Sequence, residues 1–278
     1  MPTDHSLLTI DGRMGEGGGQ VLRTSLSLSA LTGRPFRLTH VRANREKPGL
    51  RPQHLTAVRA VARLCGAALV GDALDARTLE FFPAMPPQPG AYHFDVSDAT
   101  RGGSAGAITL IFQAVLWPLL FAAGRSRVTL VGGTHVQMSP PWHYMAHTAG
   151  PAFARMGARF DATLEAWGWY PVGGGRVAAT IEPARRLDAP PFEYVPARLV
   201  EGVAAVTNLT ADIPHRMADG HPTCWPPPAW PAASSRGARR ARGRARASSC
   251  GCRRGASARW GDAGCRPTRW TRLRLRKR

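Results

Sequence analysis

Apolar positions along the first 182 residues alternate between a period of two and a helical period, and the whole alternation occurs twice. The first pass predicts a strand at Leu7 to Ile10, a helix at Gln20 to Leu31, a strand at Phe36 to Arg42 and a helix at Pro52 to Cys65. Strands at Ala67 to Val70 and Thr78 to Phe82 complete it. The second pass repeats that order: strand Tyr92 to Val96, helix Ala107 to Phe121, strand Arg127 to Val131, helix Pro141 to Met156, then strands Ala158 to Leu164 and Arg176 to Ile181. The period is about 85 residues, longer than solenoid repeats. Two helices for each four-stranded sheet predict an α+β fold of repeated units, each sheet covered on one face. In the helix from Pro52, Leu55, Val58, Ala62 and Cys65 share one side, and proline suits its first turn.

Ala105 to Ala123 carries no charge, which is the length of a membrane span. Gln113 at its centre, the interrupting Pro118 and the hydroxyl of Thr109 favour a buried core helix instead. Inside such a helix Gln113 needs a polar partner, which makes it a candidate ligand contact. A further strand-like run covers Ala197 to Leu209. From His221 the character changes. No Ile, Val or Phe follows residue 220, and the only leucines are Leu273 and Leu275. Such a segment buries too little apolar surface to offset its ordering entropy, so a disordered basic tail is expected over 221–278.

Charge follows the same division. The chain's +19 is mostly the tail's, where 16 Arg and Lys face one acid, Asp262. Residues 1–220 are only mildly basic. Two readings remain for the tail: an Arg-rich arm that binds polyanions such as RNA, or the product of a GC-rich gene read out of frame. The start Met1-Pro2-Thr3-Asp4-His5 lacks the basic and apolar regions of a secretory signal, and five irregularly spaced cysteines form no disulfide framework. Both favour a cytoplasmic protein with no membrane association.

The densest chemistry lies in Gly15-Glu16-Gly17-Gly18-Gly19-Gln20, between the first strand and first helix. Glycines allow a tight bend and close approach of backbone N–H groups, and the helix N-terminus behind them favours an anion. Glu16 would repel that anion unless a divalent cation sits between them. A metal–nucleotide or polyphosphate site and a plain strand-to-helix turn with a solvated Glu both remain open here.

The bend has company. Arg42-Ala43-Asn44-Arg45-Glu46-Lys47-Pro48-Gly49-Leu50 is followed by Gln53-His54-Leu55; Gly132-Gly133-Thr134-His135 precedes Ser139-Pro140-Pro141; and Gly168-Trp169-Tyr170-Pro171-Val172-Gly173-Gly174-Gly175 comes later. Taken with Asp11-Gly12 and the bend through Arg23, these segments strongly resemble the RNA 3′-terminal phosphate cyclase family, from about Leu7 to Ala218. The resemblance implies a large domain of three α+β repeats with a smaller domain inserted before the third. On that plan residues 1–184 are the core, with repeats at about 7–83 and 91–182; 185–220 begin the insert, and 221–278 are low-complexity tail.

It also implies a reaction. The family uses ATP to convert an RNA 3′-phosphate end into a 2′,3′-cyclic phosphate, through an adenylylated histidine and an adenylylated RNA. Adenylation supplies a good leaving group, and the neighbouring 2′-OH then attacks intramolecularly. By residue, the resemblance makes Glu16 the ligand of Mg2+ or Mn2+ shared with ATP. It gives phosphate contacts to Arg23, Arg42 and Arg45, polar nucleotide contacts to Gln53 and Gln113, and packing against adenine to Pro140 and Tyr144. Arginine suits such bidentate phosphate contacts.

The family's nucleophile lies in a His-x-x-Thr-Asn pattern. None of the nine histidines has Thr-Asn at the third and fourth positions after it; Thr207-Asn208 follows Ala204 instead. No catalytic histidine is therefore assigned, and the chain as written is expected to be an inactive cyclase. The alternative is a non-catalytic, cyclase-like RNA-binding or ribosome-assembly protein.

Overall fold

The computed structural model describes residues 6–99, 104–190, 199–210, 212–217 and 267–276. The chain divides into two units, the first built mainly from Met1–Pro191 and the second holding the remaining strands.

In the first unit, one topology is used twice. The first repeat runs β1 (Leu8–Asp11), α1 (Gly19–Thr32), β2 (Phe36–Thr39), α2 (Pro52–Cys65), β3 (Ala68–Val70) and β4 (Leu79–Phe82). Its sheet order is β1-β2-β4-β3, with β1 parallel to β2 and the other pairs antiparallel. The second repeat runs β5 (Ala91–Asp95), a 3-10 turn at Val96–Ala99, α3 (Ile108–Leu120), β6 (Ser126–Gly132), a broken helix, β7 (Phe160–Ala166) and β8 (Gly175–Ile181). Its order is β5-β6-β8-β7, again with one parallel pair, β5 with β6. This is the expected α+β arrangement of two four-stranded sheets with helices.

Local chemistry sets the boundaries. α1 and α2 end at Gly33 and Gly66, both left-handed, whose N–H groups return to Ser29 and Ala62. Pro52 opens α2, where its missing N–H costs nothing. Two boundaries differ from the sequence reading. β2 stops at Thr39 rather than Arg42, because His40 and Arg42 adopt positive φ of 52° and 54° and leave the extended conformation. The helix expected over Pro141 to Met156 is instead α4 (Trp142–Tyr144), a π-helical turn (Met145–Ala149) and α5 (Gly150–Arg155). Pro151 has no N–H for a regular helical bond, and the Gly150 N–H reaches back to the Met145 carbonyl, one residue further than an α-helix allows.

One continuous core joins the repeats. Leu22 and Leu26 of α1, Val58, Val61 and Leu64 of α2, and Ile111, Phe112 and Val115 of α3 are all fully buried in it. Truncating any of the leucines to alanine costs about 2–5 kcal/mol. Ser27 Oγ donates to the Ala114 carbonyl at 2.9 Å and ties α1 to α3. The apolar stretch from Ala105 thus supplies α3, a core helix of 13 residues and about 20 Å. Among the described residues no helix is long and apolar enough to cross a membrane.

The second unit contains β9 (Leu199–Thr207) paired antiparallel with β10 (Pro267–Arg276). Of the low-complexity tail, Pro267–Arg276 is described, as β10. A composition averaged over the tail hides the period-two alternation Arg272-Leu273-Arg274-Leu275-Arg276, which suits a strand. Residues 218–266, most of that tail, lie outside the described residues.

Candidate functional site

Parallel strands send their following loops to the same end of a sheet. β1 and β2 are such a pair, so the glycine bend after β1 and the Val41–Arg51 loop after β2 meet. Gly12 N–H donates to the Thr39 carbonyl at 2.8 Å and carries the pairing one residue past β1. Asp11 then anchors the bend's start, accepting from the Arg13 backbone N–H at 3.0 Å and from its guanidinium at 2.6 Å. Those bonds hold the exposed Asp11 carboxyl well below the usual carboxylate range.

The bend's glycines are dictated by what lies against them. Gly17 has φ of +59°, and a Cβ there would fall 2.5 Å from Asn44 Nδ2. At Gly19 a Cβ would fall 2.5 Å from His54 Nε2 and 2.8 Å from a terminal nitrogen of Arg23. A side chain at either position would expel the group it meets.

Four predicted residues gather here. Glu16, 72% exposed, is ion-paired to Arg45, and that pairing lies alongside Gly18. Arg23, one turn into α1, is only 8% exposed. One of its terminal nitrogens donates to Gln20 Oε1 at 2.9 Å, while its buried Nε has no partner. Burial pulls its pKa down to about 10, partly offset by Glu16, so it stays charged at neutral pH. Arg42 is half-buried, and one of its guanidinium nitrogens donates to the carbonyls of Lys47 at 2.7 Å and Gly49 at 3.0 Å. That bond closes its own loop. Burial, then Arg51 and Arg45, push its pKa down.

Gln53 is placed differently. Its Oε1 accepts the Ala107 N–H at 2.8 Å, at the N-terminus of α3, and so ties the repeats together. Gln113 is half-buried on α3 and faces α1 across an open cavity of about 330 Å³ that Gln20, Arg23 and Trp117 also line. The cavity runs from the polar Arg23 end to an apolar end at Leu31 and Phe121.

Pro140 and Tyr144 belong to the second repeat, Pro140 just before α4 and Tyr144 at its end, 48% exposed. Among the described residues no side-chain hydrogen bond or ion pair joins them to the glycine bend. Beside them stands a cluster that sequence reading did not assemble. His135 Nε2 and His143 Nδ1 are 2.7 Å apart, and His135 Nδ1 is 2.8 Å from Thr134 Oγ1, which accepts the Gly168 N–H at 2.9 Å. His135 stacks on Trp167 at 4.3 Å between centroids, and Trp167 stacks on Trp169 at 5.3 Å. Burial, then the neighbouring histidine, pushes His135 down to about 3; burial, then His147, pushes His143 down to about 4. Either direction of the relay leaves both rings neutral. Three separated segments build this cluster, and no local spacing announces it.

From the sequence, His54 has no more than a structural or phosphate-contacting role. It is 5% exposed, its Nδ1 has no partner, and burial with Arg42, Arg23 and Arg51 pushes its pKa down to about 3. Among the described residues no group of three His, Cys, Asp or Glu side chains is placed to hold a metal ion. Glu16 can offer one carboxylate, which suits a cation whose other ligands come from phosphates and water.

Known proteins resemble this chain in sequence. The chain is 52% identical over 213 residues to an RNA 3′-terminal phosphate cyclase of Gloeothece citriformis, covering 76% of this chain and 61% of that one. It is 51% identical over 214 residues to the enzyme of that name from Nostoc punctiforme, covering 77% and 62%. It is 51% identical over 219 residues to that of Methylococcus capsulatus, covering 77% and 60%. The chain thus spans about three fifths of the length of these curated relatives. A family model described as RNA 3′-terminal phosphate cyclase matches residues 14–228. On that match and those identities, this chain belongs to the RNA 3′-terminal phosphate cyclase family.

Proposed function

We propose that the first repeat forms the triphosphate-binding part of an ATP-dependent RNA 3′-terminal phosphate cyclase. The reading rests chiefly on Arg23: a buried guanidinium with an unpartnered Nε, at the N-terminus of a helix that has no acid in its first turn. A buried donor without a partner costs about 1–3 kcal/mol, and an anionic oxygen at the α1 N-terminus removes that cost. Arg45 adds a charge at the rim, and Arg42 keeps its loop in shape. Gln113 faces the same space and suits a polar contact to the nucleotide. Pro140 and Tyr144 are offered as the flat surface for adenine.

Mg2+ or Mn2+ would be held by Glu16 together with phosphate oxygens, and would neutralise charge on the triphosphate. Glu16 must then share its carboxylate between the cation and Arg45. The substrate would be an RNA 3′-phosphate end, and the setting cytoplasmic. No histidine in these 278 residues has the His-x-x-Thr-Asn setting, so binding of ATP without covalent labelling is the behaviour expected of this chain.

Calorimetry with ATP, with and without magnesium, tests the reading. Wild type should bind, and more tightly with magnesium; Glu16→Ala should abolish the magnesium gain. Affinity unchanged by magnesium in both proteins would overturn the metal role. With α-labelled ATP, label retained on denatured protein would overturn the expected inactivity. If ATP fails to bind while RNA binds, the non-catalytic RNA-binding reading takes its place.

A further inference from the structure

His54 is a buried histidine that the nucleotide-binding reading leaves unused. It lies on the first turn of α2, under the glycine bend, with Nε2 turned toward Gly19 and Nδ1 in the interior without a partner. The groups facing it electrostatically are Arg42 and Arg51 from the loop before α2 and Arg23 from α1. All three are cations, so the ring is neutral at physiological pH. A neutral imidazole has one N–H and one lone pair. A buried N–H without an acceptor costs more than an unused lone pair, which places the hydrogen on Nε2 and the lone pair on Nδ1. The Nε2–H then points at the foot of α1. A terminal nitrogen of Arg23 approaches the same place, since one Cβ on Gly19 would collide with both.

We propose that His54 is a direct anion contact: its neutral Nε2–H donates to a phosphate oxygen at the N-terminus of α1, beside the guanidinium of Arg23. The inference rests on the triphosphate-binding reading and adds a ligand contact to it. A neutral donor has a specific merit here. Three arginines already crowd the site, and a fourth cation would raise the cost of the empty state by mutual repulsion. The imidazole supplies a hydrogen bond without that charge. Its buried position also fixes the donor's direction.

Inorganic tripolyphosphate, titrated into the full 278-residue chain, tests this. His54→Phe keeps a flat ring and removes the donor; His54→Gln restores an N–H of similar reach. Tripolyphosphate should bind His54→Phe about ten- to a hundredfold more weakly than wild type, with His54→Gln within about threefold. Thermal melts check that both variants fold. A second readout needs no variant to fold well: in wild type labelled with 15N-histidine, the His54 Nε2 signal should carry the proton and shift on adding tripolyphosphate. An unchanged affinity in folded His54→Phe, or a proton found on Nδ1, or an unmoved Nε2 signal at saturation, overturns the proposal. If Arg23→Ala weakens binding while His54→Phe does not, the inference about His54 fails and the nucleotide reading stands. If wild type binds neither tripolyphosphate nor ATP, the nucleotide reading fails and takes this one with it.

Discussion

The two repeats have the same strand order, the same single parallel pair and helices feeding one core, yet the loops at corresponding ends differ in chemistry. In the first repeat, the loops after β1 and β2 gather Arg23, Arg42, Arg45 and Arg51 around glycines, with a single neutral imidazole beneath. In the second, the loop after β6, the start of α4 and the β7–β8 turn gather His135, His143, Trp167 and Trp169, stacked and uncharged. A parallel strand pair determines where two loops meet. The residues in those loops determine whether the meeting point attracts an anion or presents aromatic faces. One scaffold therefore carries two kinds of loop chemistry, and Gln53 ties the repeats together at the start of α3.

The largest test of that division is affinity for tripolyphosphate. Arg23→Ala should weaken it about a hundredfold, because a buried charge-assisted bond is lost, while His135→Ala should leave it within about twofold. Calorimetry on both variants decides this. Equal losses would mean that anion binding is shared between the repeats.

Acid should act through the buried neutral histidines, His135 and His143 in the second repeat and His54 in the first. An unfolded histidine takes up a proton near pH 6.5, whereas the folded rings of His54, His135 and His143 resist until about pH 3 to 4. Between those limits the unfolded chain binds more protons, so stability falls as pH drops below 6.5 and is recovered as pH rises through that value. Each such ring contributes up to about 1.4 kcal/mol per pH unit. Thermal melts at pH 7, 6 and 5 should show this slope, and His135→Gln should flatten it more than a substitution at the exposed His93. A pH-independent melting temperature would refute the buried neutral pair.

The smallest effect belongs to the link between the repeats. Gln53→Ala removes the acceptor for the Ala107 N–H and should cost about 1–2 kcal/mol, seen as a lower denaturation midpoint. Gln53→Glu keeps an acceptor and should lose less. A Gln53→Ala variant of wild-type stability that has lost ATP affinity would assign Gln53 to the ligand rather than to α3.

Much of the secondary structure was legible because its signals are local. Gly33 and Gly66 end helices whichever partners they pack against, and Pro52 opens one. The signals that failed were overridden locally: positive φ at His40 and Arg42 cut β2 short, and Gly150-Pro151 forced a π turn into the fourth helix. At the site, the glycine bend drew attention to Glu16 but left a plain turn open, and Arg23 was reached only through the family resemblance. Arg45 followed only from the motif beside the bend. Nothing local marked His54 as the group under Gly19, and nothing local showed that the Gln53 amide oxygen also accepts the Ala107 N–H at the start of α3.

The sequence by itself determined the order of elements, their duplication, the glycine bend before the first helix and the absence of a His-x-x-Thr-Asn pattern. Those properties depend on residues within a few positions of one another. The tertiary structure alone decided which atoms remain without partners, which histidines are held neutral, and which loops face one another. Those depend on burial and on contacts between distant segments, and the cost of burying a charge or an N–H exists only once the chain has closed around it.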